Sequence, residues 1–307
     1  MSRGTWKVPG IWFCFLMTIG IVCVMGCMHQ EVSEDSRLQV AVTILPQEDV
    51  ARAVGGDRVC VTVVVPPGVE PHTYEPSAGQ IVQLSRADMY FRLGPGLLPF
   101  EDALVDRLRT LNPDLVIIVT SSGIPLIQGE GGGNGTSRGA DPHIWLSPSN
   151  LRLMAENMAE GFFIADPAHS EAYIAGKEAY LQKVDATDRA IRNTLSGTEG
   201  RPFLVFHPAW GYFAREYNLE QVSVEAEGKE PGIRQISMLI EFAVERGIRV
   251  VFADPQFSTR ESEVIAREIN GTVVLIDPLA PDTLANIERV ASVISMSYGK
   301  RDEGGDS

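Results

Sequence analysis

Beyond residue 37 the hydrophobic and polar positions of the chain follow two alternating patterns. Short β-branched runs occur at Leu38–Ile44, Arg58–Val65, Asp88–Leu93 and Leu115–Thr120. Four more follow at Phe203–Phe206, Gln221–Val224, Arg249–Ala253 and Thr272–Ile276. Helical spacing fills most of the intervals, as at Ser77–Arg86, Pro99–Leu111, Gly232–Arg246 and Arg260–Ile269. Strand–helix alternation of this kind predicts an α/β fold with mostly parallel sheets covered on both faces.

The alternation lapses once, between Ser147 and Leu195. Ser147-Pro148 reads as an N-cap followed by proline in the first turn, and Leu151, Met154, Met158 and Phe162 then share one face. After Asp166-Pro167 a second helical pattern carries Tyr173, Tyr180, Val184, Ile191 and Leu195 along a single stripe. A helix of that length spans about 40 Å, the size of a whole lobe. The expected organisation is an N-terminal α/β lobe over 38–165, a rigid linker helix over 166–198 and a C-terminal α/β lobe over 199–300.

The N-terminus is different in kind. Arg3 and Lys7 precede an apolar run from Ile11 to Met25, too short for a membrane span of about 20 residues but right for a signal peptide. The run closes in Val24-Met25-Gly26-Cys27, which resembles the lipobox of bacterial lipoproteins. Residues 1–26 are therefore expected to be a signal peptide, with lipid attachment at Cys27 and a flexible tether over 27–37. The alternative is an uncleaved N-terminal anchor. In both cases the body is extracytoplasmic and membrane-anchored, in a periplasm or on the outer face of the cell membrane.

Composition narrows the partners. The 26 Lys and Arg against 40 Asp and Glu leave a net charge of −14, which argues against nucleic acid and mildly favours cations. Beyond the signal only Cys27 and Cys60 remain, and Cys60, inside a strand-like run, is expected to be a buried free thiol. The segment 129–139 is rich in glycine and reads as a surface loop. Its Asn134-Gly135-Thr136 is read as a chance match to a glycosylation acceptor.

Three of the five histidines stand where a strand run gives way to a loop or helix, the edge at which ligands gather in open α/β sheets. His72 lies in a loop stiffened by Pro66, Pro67, Pro71 and Pro76; His143 precedes the capped helix; His207 ends the Phe203–Phe206 run. Three imidazoles so placed suggest a site for a borderline metal such as zinc. Asp277, after the last strand run, and Asp254 compete as a fourth ligand. His29 and His169 are expected to be solvated.

The segments PPGVEPHTYEP, DPHIWLSP, FHPAWGYF, FADPQFS and LIDPLA resemble, in order and approximate spacing, the substrate-binding lipoproteins of zinc and manganese ABC importers, the ZnuA and TroA type. The resemblance implies two α/β lobes joined by a long helix, with the metal in the cleft between them. It also implies His72, His143 and His207 as ligands, with Asp277 the fourth. Glu70, two residues before His72, could reach the metal too. Manganese-type members usually place a glutamate where His207 stands, so zinc is the expected cargo and manganese the alternative. The implied partners are the metal ion and an ABC permease in the cytoplasmic membrane, with the protein itself a monomer. The histidine-rich loop of many zinc members is replaced here by GEGGGNGTSRG.

Two other readings use the same residues. A surface adhesin with structural metal has almost the same sequence signature. A zinc hydrolase would keep an open coordination position and often carries H-E-x-x-H, which is absent; no enzymatic activity is expected.

Overall fold

The computed structural model describes residues 1, 4, 36–129, 139–225 and 232–299. The signal segment, Cys27, nearly all of the tether and the centre of the glycine-rich segment, with Asn134, lie outside the described residues.

Each of the eight β-branched runs overlaps a strand, with β5 and β6 beginning one residue before their runs. In the first lobe these are β1 (Leu38–Val42), β2 (Val59–Val63), β3 (Met89–Arg92) and β4 (Val116–Val119), interleaved with α1 (Leu45–Gly55), α2 (Ala78–Leu84) and α3 (Glu101–Leu111). Then come α4 (Pro148–Ala165) and the long α5 (Ser170–Thr194). The second lobe follows with β5 (Pro202–Val205), α6 (Gly211–Glu216), β6 (Glu220–Ser223), α7 (Ile233–Glu245), β7 (Val250–Ala253), α8 (Arg260–Glu268), β8 (Thr272–Leu275) and α9 (Thr283–Ser297).

Among the described residues, all strand pairings within the two sheets are parallel, with sheet orders β2-β1-β3-β4 and β6-β5-β7-β8. The two orders are the same order: each lobe repeats one topology. In both, the chain builds one edge first and then crosses to the other side of its starting strand. Such a switch point opens a crevice at the carboxyl ends of the strands.

The linker helix is as the stripe predicted. Tyr173, Tyr180, Val184 and Ile191 of α5 are buried, and α5 packs against α1, α4 and α9. Its approach to α1 depends on Gly176, where a Cβ would stand 2.3 Å from the Val54 carbonyl oxygen. One hydrophobic core runs from β1 and β3 through α4 and α5 to β5, α6 and α9, and a smaller one lies between β5, β7 and α8. The lobes are further tied by Trp145 Nε1, which donates to Pro278 O at 2.6 Å, and by Thr283 N, which donates to Asp49 Oδ2 at 3.1 Å.

Two expectations change. Cys60 is a free thiol but only half-buried, because β2 is the edge strand of its sheet and one face is incompletely covered. His169 is not merely solvated: its Nδ1 lies 2.7 Å from Asp166 Oδ2, to which Tyr173 also donates at 2.6 Å, fixing the turn between α4 and α5.

Candidate metal centre

Each histidine is carried by a loop with its own reason to be rigid. After β2, Val69 N donates to Pro66 O, and Gly68 supplies the left-handed φ of +78° that this Pro-Gly turn requires. Ser77 then caps α2, its hydroxyl accepting from Gln80 N at 3.3 Å. His72 is thus held between a fixed turn and a fixed helix start. His143 is held by Asp141, whose Oδ1 accepts from the His143 backbone N at 2.9 Å and lies 2.8 Å from Nδ1. His207 follows β5 by two residues, stacks on Phe257 with ring centroids 5.0 Å apart, and has Nδ1 2.8 Å from Glu225 Oε2.

With Nδ1 of His143 and His207 donating to carboxylates, Nε2 is left as the lone-pair nitrogen. These nitrogens converge. His143 Nε2 is 3.3 Å from His72 Nε2 and 3.3 Å from His207 Nε2, and all three lie within 4.8 Å of one another. Two zinc–nitrogen bonds of about 2.05 Å meeting at a tetrahedral angle place their nitrogens about 3.3 Å apart. The cavity between the imidazoles has a volume of about 10 Å³ and is bordered by Glu70, Leu98, Trp145, Phe257 and Pro278. That is room for one ion or water and for no organic molecule.

Carboxylates surround this point. The four strands of the second lobe end, within two residues, on His207, Glu225, Asp254 and Asp277. Asp254 is buried and its Oδ2 has no hydrogen-bond partner; Oε1 of Gln256 is likewise orphaned. Burial drives the Asp254 pKa up to about 8, with Asp277, Glu70 and Glu225 adding repulsion and His207 partly opposing them. Burial also pushes His72 down to about 3, helped by repulsion from the other two imidazoles. His207 goes the other way: burial disfavours its proton, but the Glu225 hydrogen bond and charge, with Asp254 and Glu70, hold it above the usual value. A concave site lined by three imidazoles and ringed by acids attracts a dication.

Asp277 does not belong to the three-histidine group. Its Oδ1 accepts from Gln256 Nε2 at 2.8 Å and from Leu279 N at 2.9 Å, holding the turn into α9 and leaving Oδ2 without these bonds. Glu70 borders the cavity, with Oε1 2.9 Å from the His72 backbone N and 3.8 Å from His72 Nε2. Glu225 and Asp141 were not singled out in the sequence, although Glu225 stands two residues past its strand, as His207 and Asp277 do.

A family model described as the periplasmic component A of zinc-uptake complexes, ZnuA, matches residues 40–294. The chain belongs to this ZnuA family. Among its relatives is the high-affinity zinc uptake system protein ZnuA of Bacillus subtilis, 26% identical over 280 residues, covering 87% of this chain and 86% of that protein. The iron-binding protein YfeA of Yersinia pestis is 27% identical over 277 residues, covering 86% of this chain and 87% of YfeA. A crystal structure of ZnuA superimposes with a TM-score of 0.79 at 38% identity, covering 85% of this chain and 99% of that one. The chain is thus a ZnuA-type binding component of a metal uptake system, with the two-lobed fold of its family.

Proposed function

We propose that the protein captures zinc outside the cytoplasm through Nε2 of His72, His143 and His207 and hands it to an ABC permease. The convergence of the three Nε2 atoms, two of the separations being 3.3 Å, carries this reading. The fourth ligand is a carboxylate. Each candidate has one oxygen engaged, Glu70 Oε1 by His72 N and Asp277 Oδ1 in the turn before α9, and Glu70 is favoured because it borders the cavity and Asp277 does not. Four protein ligands close a tetrahedral shell and leave no position for activated water, which supports transport rather than hydrolysis. Lipid attachment at Cys27, membrane anchoring and a monomeric state belong to the same proposal.

The test is a zinc competition titration against a chromophoric chelator. His72→Ala, His143→Ala and His207→Ala should each weaken zinc binding by more than tenfold, while His169→Ala leaves it unchanged. Wild-type affinity for the three histidine variants would remove the site. Labelled fatty acid should enter the wild-type protein and not Cys27→Ser.

A further inference from the structure

His72 faces two cavities. Behind it is the ion-sized space between the imidazoles; in front is a pocket of about 300 Å³ within the first lobe, bordered by Tyr74, Glu75, Phe100, Leu104 and Arg107. That volume is at the lower end of small-molecule sites. His72 is also the most accessible ligand, with 33% of its side chain exposed against 8% for His143 and 10% for His207. A cation entering the centre therefore meets His72 first, and any organic molecule carrying it must stop in the outer pocket.

The lining of that pocket has a definite chemistry. Tyr74 and Phe100 form an edge-to-face aromatic pair, with centroids 5.5 Å apart, as an apolar wall. Arg107 and Glu75 are exposed at its rim, and neither side chain makes a hydrogen bond or ion pair among the described residues. A guanidinium without a carboxylate and a carboxylate without a cation, set on one small pocket, complement a ligand with one anionic and one cationic end, which a metal–amino-acid chelate presents as its carboxylate and its metal. A polyanion such as citrate would meet Glu75 and the field of a chain with net charge −14.

We propose that the outer pocket docks an amino-acid chelate of the metal, with a carboxylate oxygen of the ligand on Arg107 and the cationic, metal-bearing end toward Glu75 and His72, and that the metal passes from this chelate to His72. The proposal rests on the reading that the three histidines bind zinc. In the transfer, a bond from the metal to a chelator donor is replaced by one to His72 Nε2. The freed amine takes a proton from solvent, and the chelator leaves as the zwitterion.

The probe is the zinc–L-histidine complex, with zinc citrate as comparator and free zinc held constant by buffering. Loading of metal-free protein is followed by stopped-flow fluorescence, Trp145 lying 5.4 Å from the His143 ring as reporter. The loading rate should rise at least fivefold as the zinc–histidine complex is increased, and not with zinc citrate. Arg107→Gln should abolish the rise, and Glu75→Gln should reduce it, with equilibrium zinc affinity within twofold of wild type in both. A wild-type rate set by free zinc alone, an undiminished rise in Arg107→Gln, or equal acceleration by citrate would overturn the proposal while leaving the zinc site standing. Failure to load from either source, with no zinc affinity at equilibrium, would instead overturn the zinc site itself.

Discussion

His207 Nδ1 lies 2.8 Å from Glu225 Oε2, and this one contact fixes both the aim and the proton affinity of the imidazole. The carboxylate holds Nδ1 as the donor, so Nε2 points its lone pair at His143 and His72. The same carboxylate stabilises the protonated ring, which cannot bind metal.

Glu225→Gln therefore has two opposed effects that pH separates. Loss of the orienting charge should weaken zinc binding about tenfold or more at pH 8, the scale of outer partners at metal sites. The wild-type His207 pKa is raised, so on acidification proton competition begins above pH 6.5; in the variant it begins lower. His72, pushed down to about 3, stays available throughout. Titrations at pH 8 and pH 6 should show the gap between the two proteins narrowing at the lower pH. A gap that widens on acidification would contradict the role given to Glu225.

The fourth ligand is a choice between Glu70 and Asp277. If the cavity geometry decides, Glu70→Gln should weaken zinc binding by more than tenfold and Asp277→Asn by a smaller factor. Asp277→Asn keeps an Oδ1 acceptor for Gln256 and Leu279 N and should leave metal-free stability near wild type, whereas Asp277→Ala should lower it. Zinc affinity and metal-free melting temperature, measured on these variants, separate the two roles. The reverse ranking of affinities would return the fourth position to Asp277.

Much of this arrangement is legible in the chain, for physical reasons that differ by element. The strands are legible because parallel strands covered on both faces read as unbroken β-branched runs, as at Val250–Ala253, and the edge strand Val116–Val119 keeps the same run although it is only partly buried. The linker helix is legible because Tyr173, Tyr180, Val184 and Ile191 must meet a core at helical spacing. Cys60 was misread because a run of β-branched residues does not say whether its strand is central or at the edge. Asp141 and Glu225 were missed because a single acid has no spacing pattern; Asp141 meets His143 only through the local turn of its loop, and Glu225 meets His207 only because the ends of β5 and β6 lie side by side, a tertiary fact. Glu70 was legible as a candidate from its place two residues before His72, but its access to the cavity depends on the Pro67-Gly68 turn.

Asp254 gives a prediction for stability without metal. Its folded-state pKa is raised to about 8 from 3.8, so between these values the folded protein binds a proton that the unfolded chain does not. Stability contributed by this group therefore falls as pH rises from about 4 to about 8. Asp254→Asn, which cannot ionise, should stabilise the metal-free protein by something on the order of 1–3 kcal/mol at pH 8 and by little at pH 4. Saturating zinc should shrink or reverse that advantage, because a dication beside the carboxylate favours its charged form. Thermal melts at the two pH values, with and without zinc, would show it. An advantage independent of pH would mean that Asp254 is ionised in the folded protein.

The remaining prediction is the identity of the cargo. Three imidazoles and one carboxylate form a nitrogen-rich set, and such a set favours zinc over manganese both by ligand softness and by the Irving–Williams order. The 3.3 Å nitrogen separations fit a tetrahedral ion, whereas manganese prefers more oxygens and a higher coordination number. The relatives do not decide it, since the family includes proteins named for zinc and for iron. Competition titration should show zinc bound at least about a hundredfold more tightly than manganese, a selectivity of about 2.7 kcal/mol. His207→Glu replaces a neutral nitrogen by a charged oxygen and should narrow that ratio, with most of the change coming from lost zinc affinity. Because Glu225 would then face a second carboxylate instead of a donor, His207→Glu combined with Glu225→Gln should narrow it further. Manganese retained by the wild-type protein against equimolar zinc would reverse the assignment.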